Sequence, residues 1–531
     1  MKLNPETIEV SIEELEKLVD RTGQQTLEDG ERRQLRAAVE TLGQMARMLA
    51  GKGATLRQLR QMLLKTATTE KTRAVLGIKP KVGEHLDQSA VAEKKKRKGH
   101  GRKPASAFAG APKVEVKHPT LQPGDRCPEC VKGKVYPLKE PAVRVRIIGQ
   151  APVQATVYEL ARLRCNLCQE VYEAPAPEQM GATKRDETVA SMIAVLKYGS
   201  GMPFYRLAGL QANLGIPLPP STQWDMMEQA AAVIEPVYEE LIRQAAQGQV
   251  LYNDDTAVRI LALQRETAAE RTGVFTTGIV ATAQGRKMTL FFSGDKHAGE
   301  NLADVLKKRA AELSPPIQMC DALSRNTPKG FAVILGNCLV HCRRNYVEVA
   351  ANFAAECEYV LETLGEIYGH DEEARHQKMT DLERLVHHQA RSGPLMEQLR
   401  QWGQQQLDEH KVEPNSGLGQ AIAYMLKHWE KLTLFLRQAG APLDSNIVER
   451  ALKKAILHRK NALFYKTRHG ARVGDLFMSL IHTCESCGGN PFDYLTQLQR
   501  HATELAHNAS RWMPWNYRAT LEESVAMEEA A

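Results

Sequence analysis

LDSNIVERALKKAILHRKNALF, residues 443–464, sets one carboxylate, Glu449, into a helix that is otherwise rich in cations. Arg450, Lys453, Lys454, His458, Arg459 and Lys460 follow it within about three turns. Two readings of that carboxylate are open. Asn446-x-x-Glu449 has the form of a capping box, and Glu449 with Lys453 makes a favourable i,i+4 ion pair. In the other reading Glu449 is the anion that holds a metal ion beside a bound polyanion. Two more carboxylates far upstream, each closing a strand-like run, favour the second.

Asp254 ends GQVLYNDD and Asp321 ends PIQMCD, with the three acids 67 and 128 residues apart. Strand ends beside a helix can converge despite such separations. Three carboxylates within about 4 Å repel by several kcal/mol at an effective dielectric near 20, so cations must neutralise them. Hard oxygen donors with open positions suit two Mg²⁺ or Mn²⁺ ions, the pair that serves phosphodiester cleavage. Singly, Asp321 also reads as a turn residue, and the pattern does not choose between Asp254 and its neighbour Asp255. The three acids together, in this α/β order, carry the metal reading.

The chain has 531 residues and a net charge of +7, enough length for several domains. The excess charge is concentrated in KKKRKGHGRK at 94–103. A block of this kind is a solvated linker, and Lys94, Lys95, Lys96, Arg97, Lys98, Arg102 and Lys103 are suited to phosphates. No apolar run has the length of a bilayer span, and MKLNPETIEV lacks a signal-peptide core, so a cytoplasmic protein without a membrane partner is expected. Ten cysteines include Cys127-x-x-Cys130 and Cys165-x-x-Cys168. Four thiolates are what one closed structural zinc site requires. Cys484-x-x-Cys487 has no second pair and reads as buried or idle cysteines, while Cys320 reads as core.

The pattern divides as follows. Residues 1–93 are helical, with Leu35, Leu42, Leu49, Leu56 and Leu63 seven apart as in a coiled-coil seam, interrupted by Gly43, Gly51 and Gly53. A basic linker spans 94–125. A zinc module with strands VRVRIIG and ATVYELARLR spans 126–176. Residues 177–248 are helical and resemble a helix-turn-helix around 204–230, with Ser221 or Thr222 as a cap. Strands GQVLYNDD, FTTGIVAT, KMTLFFS and PIQMCDA, and a further one at GNCLVHC, fill 249–350 with the helix NLADVLKKRAAEL. A helical insertion spans 351–440, in which Trp429 packs between helices. Residues 441–500 return to the α/β pattern, and 501–531 form a mobile tail.

These motifs resemble the transposases of the IS66 insertion-sequence family. The matching blocks are GRKP at 101–104, CPEC at 127–130, Asp254-Asp255-Thr256, Asp321, NCLVHCRRNY at 337–346, IAYMLKHWEKLTLFL at 422–436, and LDSNIVERAL with HRKNALF. The resemblance implies a ribonuclease H-like mixed sheet with an all-α insertion, and Asp254, Asp321 and Glu449 as a DDE metal triad, with Asp254 favoured over Asp255. It also implies double-stranded DNA, at element ends and target, as partner, with a homo-oligomer to hold two ends and accessory proteins from the same element. The implied chemistry is hydrolysis at the element ends, then attack of the freed 3′-OH on target DNA. Arg343, Arg344, Arg450, Lys453, Arg459 and Lys460 are the cations expected at DNA, along with the basic linker. Asp255, ALSRN after Asp321, Ser445 and Lys453-Lys454 depart from the family pattern, but no departure removes a metal carboxylate. A non-catalytic DNA-binding regulator and a structure-specific nuclease remain the competing readings.

Overall fold

The apolar runs between residues 250 and 337 pair into a five-stranded mixed sheet. In this computed structural model the described residues are 113–114, 119–130, 132–136, 138, 150–265 and 273–530. The leucine seam, the run 94–103 and the strand VRVRIIG lie outside them. After a small antiparallel hairpin, β1 (Arg162–Arg164) with β2 (Val171–Glu173), the sheet comprises β3 (Val250–Ala257), β4 (Phe275–Ala283), β5 (Arg286–Gly294), β6 (Ile317–Cys320) and β7 (Ile334–Asn337). Their order is β5-β4-β3-β6-β7. β3, β4 and β5 are antiparallel neighbours, whereas β6 runs parallel to β3 and β7 parallel to β6. The first half of β3, Val250 to Asn253, is wholly buried, as a central strand covered on both faces requires. GNCLVHC is not a strand throughout: β7 stops at Asn337 and a helix starts at Leu339.

The chain divides into two compact units, one containing the sheet and one containing residues 338–443. In the sheet unit, α1 (Glu187–Ala194) runs into a π-helical turn, Val195–Gly199, before α2 (Phe204–Asn213) and α3 (Pro220–Ala246). α3 begins on Pro220 behind Pro219, not behind a Ser221 or Thr222 cap, because proline lacks the N–H that a first-turn position leaves unused. The buried Gln223 closes the turn by donating to the carbonyls of Leu218 and Phe204 at 2.8 and 3.0 Å. Met227, Ile234, Val237 and Leu241 are fully buried along α3, so the second helix of the helix-turn-helix-like segment is a core element. α4 (Leu261–Arg265) and α5 (Ala298–Leu306) complete the first part of this unit.

Residues 338–443 are all helical: α6 (Leu339–Val349), α7 (Ala354–His376), α8 (Asp381–Arg391), α9 (Gly393–Asp408) and α10 (Gly417–Lys427). The Leu339 N–H donates to the Leu443 carbonyl at 3.0 Å and closes the unit on itself. Trp429 is buried. Against the upward push of burial, His388 and Arg384 hold the Asp371 carboxyl down at about 2.

α11 (Asn446–Ala462) and α12 (Arg468–Ser486) return to the sheet. α12 covers the edge strand β5 by an unusual device. Asp475, Ser479 and Thr483, one turn apart on one face, accept the Ser293, Phe291 and Thr289 N–H groups at 2.6, 2.9 and 3.0 Å. A strand edge that would otherwise offer unpaired donors is thereby closed by side chains. The chain after residue 500 is not a loose tail. α13 (Pro491–Arg500), α14 (Ala502–His507) and α15 (Tyr517–Ala530) pack around fully buried Trp512, Met513 and Tyr517, and Tyr494 donates to the Trp512 carbonyl at 2.8 Å. Those apolar side chains outweigh the polar composition of the segment. Among the described residues no helix is long and apolar enough to cross a membrane.

Replacing Ser479 by Ala leaves the buried Phe291 N–H without its acceptor. The expected loss is about 1–3 kcal/mol of unfolding free energy. Urea titration followed by circular dichroism measures it, and an unchanged midpoint would mean that the edge is closed by something else.

Candidate active site

The pleat of β3 separates the two acids that the pattern could not tell apart. Neighbouring side chains on a strand point to opposite faces. Asp255 faces α5: its carboxylate accepts Thr277 Oγ1 at 2.6 Å and the Ala298 N–H at 2.9 Å, with His297 Nδ1 at 3.3 Å. Its side chain is 1% exposed, and it anchors the first turn of α5. Asp254 lies on the other face, opposite Gly278 in the register with β4. A β-carbon on Gly278 would meet Leu452 at 3.0 Å and Val448 at 3.3 Å. The glycine thus lets α11 approach the sheet directly over the Asp254 position.

α11 brings Glu449 to that face. The helix starts at Asn446, and the capping box expected from Asn446-x-x-Glu449 does not form. Asp444 does the capping, accepting Asn446 N and Nδ2 at 3.0 and 2.9 Å. Asn446 is therefore the first helical residue, one position too late for Glu449 to reach back to the cap. Glu449 is half-buried, and its Oε1 is inaccessible to solvent.

Asp321 follows β6. It accepts the Leu323 N–H at 3.2 Å and the Asn326 side-chain amide through Oδ1, while its carbonyl accepts Asn337 Nδ2 at 3.3 Å. Behind it lies a buried amide network that sequence reasoning missed. Asn253 Nδ2 and Gln318 Nε2 both donate to the Asn326 carbonyl at 2.7 Å, and Gln318 Nε2 also lies 2.8 Å from Asn253 Oδ1. These bonds tie β3, β6 and the loop after Asp321 together. The available signal was polar residues at positions the strand pattern makes fully buried, Asn253 and Gln318.

The carboxylates sense one another. Burial first, then the negative charge of Asp321 and more weakly that of Glu449, push the Asp254 carboxyl up to about 7, against the Asp255 N–H that donates to it at 2.8 Å. Burial also raises Asp321, partly offset by Leu323, Arg325 and Asn326. Asp321 and Glu449 lie near enough for their charges to raise Asp254, but among the described residues no three His, Cys, Asp or Glu side chains converge closely enough to hold a metal.

The expected cations are placed unevenly. Arg450, Lys453 and Lys460 are exposed on α11. Arg459 is half-buried and bonded to the Ala257 carbonyl and to Thr256 Oγ1 at 3.2 Å, so it ties α11 to the end of β3. Arg343 and Arg344 belong to α6 of the helical unit. The CxxC pairs form two separate knuckles. Gly133 N–H points to Cys130 Sγ at 3.4 Å, and the N–H groups of Gly133 and Lys132 lower the Cys130 thiol. Those of Cys168 and Leu167 lower Cys165. Cys320 and Cys484 are buried and Cys487 half-buried.

Residues 184–473 match the model of a family described as Transposase IS66 family. The match contains Asp254, Asp321 and Glu449 and leaves out the two CxxC pairs. The chain is 26% identical over 423 residues to uncharacterized protein y4jD of Sinorhizobium fredii, which spans 75% of this chain and 80% of that relative. It is 24% identical over 434 residues to uncharacterized protein y4hP of the same organism, spanning 76% of each.

The two neighbouring aspartates should respond oppositely to amidation. Folded Asp254 keeps its proton to a higher pH than an unfolded aspartate, so folding takes up a proton between about pH 4 and pH 7. The metal-free protein should lose stability as pH rises through that window. Asp254→Asn should remove that part of the decline and melt higher than wild type at pH 8. Asp475, also pushed up to about 7 by burial, contributes equally to both proteins. Asp255→Asn should melt lower at every pH, because it weakens the α5 anchor. Thermal melts in a chelator across pH 5–8 decide; equal behaviour of the two variants would undo the assignment of faces.

Proposed function

We propose, since this chain belongs to the IS66 transposase family, that it cleaves DNA at the ends of an insertion sequence and joins them to a target. Asp254, Asp321 and Glu449 are its metal-holding carboxylates, on a ribonuclease H-like sheet. The observation that carries this reading is the Asp254 carboxyl, raised to about 7 by burial and by the charges of the other two acids. A cluster that repels itself in this way is relieved by cations. The mixed sheet, with one acid on its central strand and another just past its neighbour, supports the same reading.

The donor set consists of hard carboxylate oxygens and fits Mg²⁺ or Mn²⁺. Two such ions, when bound, would activate the attacking oxygen and stabilise the leaving one. The protein's own groups prepare that site. Asp254 releases its proton to become a ligand. The Leu323 N–H and Asn326 amide orient Asp321, and Gly278 sets how near α11 brings Glu449. Arg450, Lys453 and Lys460 on the exposed face of α11 bind DNA phosphates, as do Arg343, Arg344 and the cations of 94–103; Arg459 acts through its tie to β3.

Around this core we assign one structural zinc to Cys127, Cys130, Cys165 and Cys168, since each pair already has backbone N–H groups that favour its thiolate. The chain works in the cytoplasm as an oligomer that holds two element ends, with accessory proteins from the same element. The loose spacing of the three acids favours one rival, a non-catalytic DNA-binding protein.

Incubation of labelled element-end DNA with Mg²⁺ separates these readings. Strand-transfer products support the transposase, hydrolysis alone a nuclease, and binding without products the regulator. Asp254→Ala, Asp321→Ala and Glu449→Ala should each lose product formation while keeping DNA affinity within about threefold, less than 1 kcal/mol. Metal analysis of the purified chain should find one zinc, lost on Cys130→Ser or Cys165→Ser; undiminished zinc in both variants would refute the assignment.

A further inference from the structure

The end of α11 opposite Glu449 has a feature that the cleavage chemistry does not use. Leu463 adopts φ 69° and ψ −45°, and Phe464 N–H donates to the Ala462 carbonyl at 2.9 Å. This is a γ-turn of the rare strained kind, centred on a leucine. Strain of this sort persists only where neighbours over-determine it. Here they do. The Leu463 N–H donates to the Arg459 carbonyl at 2.8 Å, and Tyr465 exchanges backbone bonds with Arg259 and Leu261 at 2.9 Å. The buried Tyr465 ring stacks on His458 at 5.0 Å, and His458 on Tyr198 at 6.0 Å. The turn is held rigidly, yet it presents apolar side chains to water: Leu463 is 62% exposed and Phe464 37%.

The surroundings are cationic and aromatic. Gly201, at φ 74°, brings the loop before α2 within 3.1 Å of Leu457 and 3.3 Å of Asn461, measured from where its β-carbon would stand. Arg206 Nη1 reaches Asn461 Oδ1 at 3.3 Å, beside a Tyr205 ring that is 59% exposed. Lys197, in the π-helical turn, is buried, with its ammonium 4.8 Å from the Phe204 ring centre. Lys197, Arg206 and Lys460 form no ion pair with any described carboxylate. An apolar tip among such cations fits a polyanion whose apolar faces lie inside it. Intact duplex offers the phosphates but hides the bases.

We propose that Leu463 and Phe464 form a wedge that enters an opened base step of the DNA substrate, with Tyr205 supporting the unstacked base and the exposed Arg206 and Lys460 holding the flanking phosphates. The wedge rests on the DNA reading above. Its position relative to the acids follows from Arg459, which is bonded to Ala257, about 10 Å along β3 from Asp254. With 14 residues of helix between Glu449 and Leu463, it would open the duplex about 20 Å from the phosphate to be cut. Apolar side chains inserted between base steps are a general means of unstacking them.

The test uses the full chain and a forked duplex carrying 2-aminopurine at the junction, with the fully paired duplex as reference. Wild type should prefer the fork by about tenfold, the scale of one stacked base, and brighten the probe on binding. Phe464→Ala should keep affinity for the paired duplex but lose the preference and the brightening. Leu463→Gly should do the same while melting higher than wild type, because glycine relieves the turn. That combination separates the wedge from a folding defect. A fork preference unchanged in both variants overturns the wedge and leaves the proposed function standing. A change in oligomeric mass with fork preference intact would assign the face to a second copy, and also overturns it. Wild type that binds neither probe would remove the DNA reading itself.

Discussion

Asp254 occupies the central strand with the charges of Asp321 and Glu449 near enough to help raise its carboxyl to about 7, and much of the sheet unit serves to hold that unfavourable arrangement. The repulsion cannot be relaxed by turning Asp254 aside, because the pleat fixes its face and Asp255 occupies the other with three partners. Nor can β6 slide away, since Gln318 and Asn253 share the Asn326 carbonyl between the two strands. Buried amides are costly unless bonded, so this network specifies one register.

Glu449 is positioned by packing. Val448 and Leu452 settle over Gly278 at distances that a methyl group would disturb, and the absent side chain sets the separation between helix and sheet. On the far side, α12 closes β5 through Asp475, Ser479 and Thr483. The burial that makes Asp475 a poor anion also makes its bonds to Ser293 strong, since competing water is excluded. Two helices, one apolar in its contact and one polar, thus press on the antiparallel part of the sheet, α11 on β3 and β4 and α12 on β5.

Much of this was legible in the sequence because it is periodic. Four of the five strands, the helices of 338–443 and the burial of Trp429, Cys320 and Cys484 follow from apolar spacing. The family resemblance likewise rested on blocks that the family match at 184–473 largely contains. What was not legible depends on partners distant in sequence. Asp254 and Asp255 look alike until Thr277 and Ala298 are beside one of them. Asn446-x-x-Glu449 reads as a capping box until Asp444 takes the cap and shifts the start by one residue. Residues 501–531 look polar, yet Trp512, Met513 and Tyr517 find a cleft that composition does not reveal. GNCLVHC failed for a local reason: four strand-like residues at Leu339–Cys342 are equally good at opening an amphipathic helix.

α11 joins the two proposed sites of the sheet unit in one element. It has 17 residues and so is about 25 Å long, with Glu449 in its first turns and the strained Leu463 just beyond its last. The first end packs on Gly278 of β4, opposite Asp254, and the second is tied to Ala257 of β3 through Arg459. A helix fixed at two points on neighbouring strands does not tilt at one end without straining the other. The Leu463 turn and the Asp254 face of the sheet are thus carried by one continuous helix.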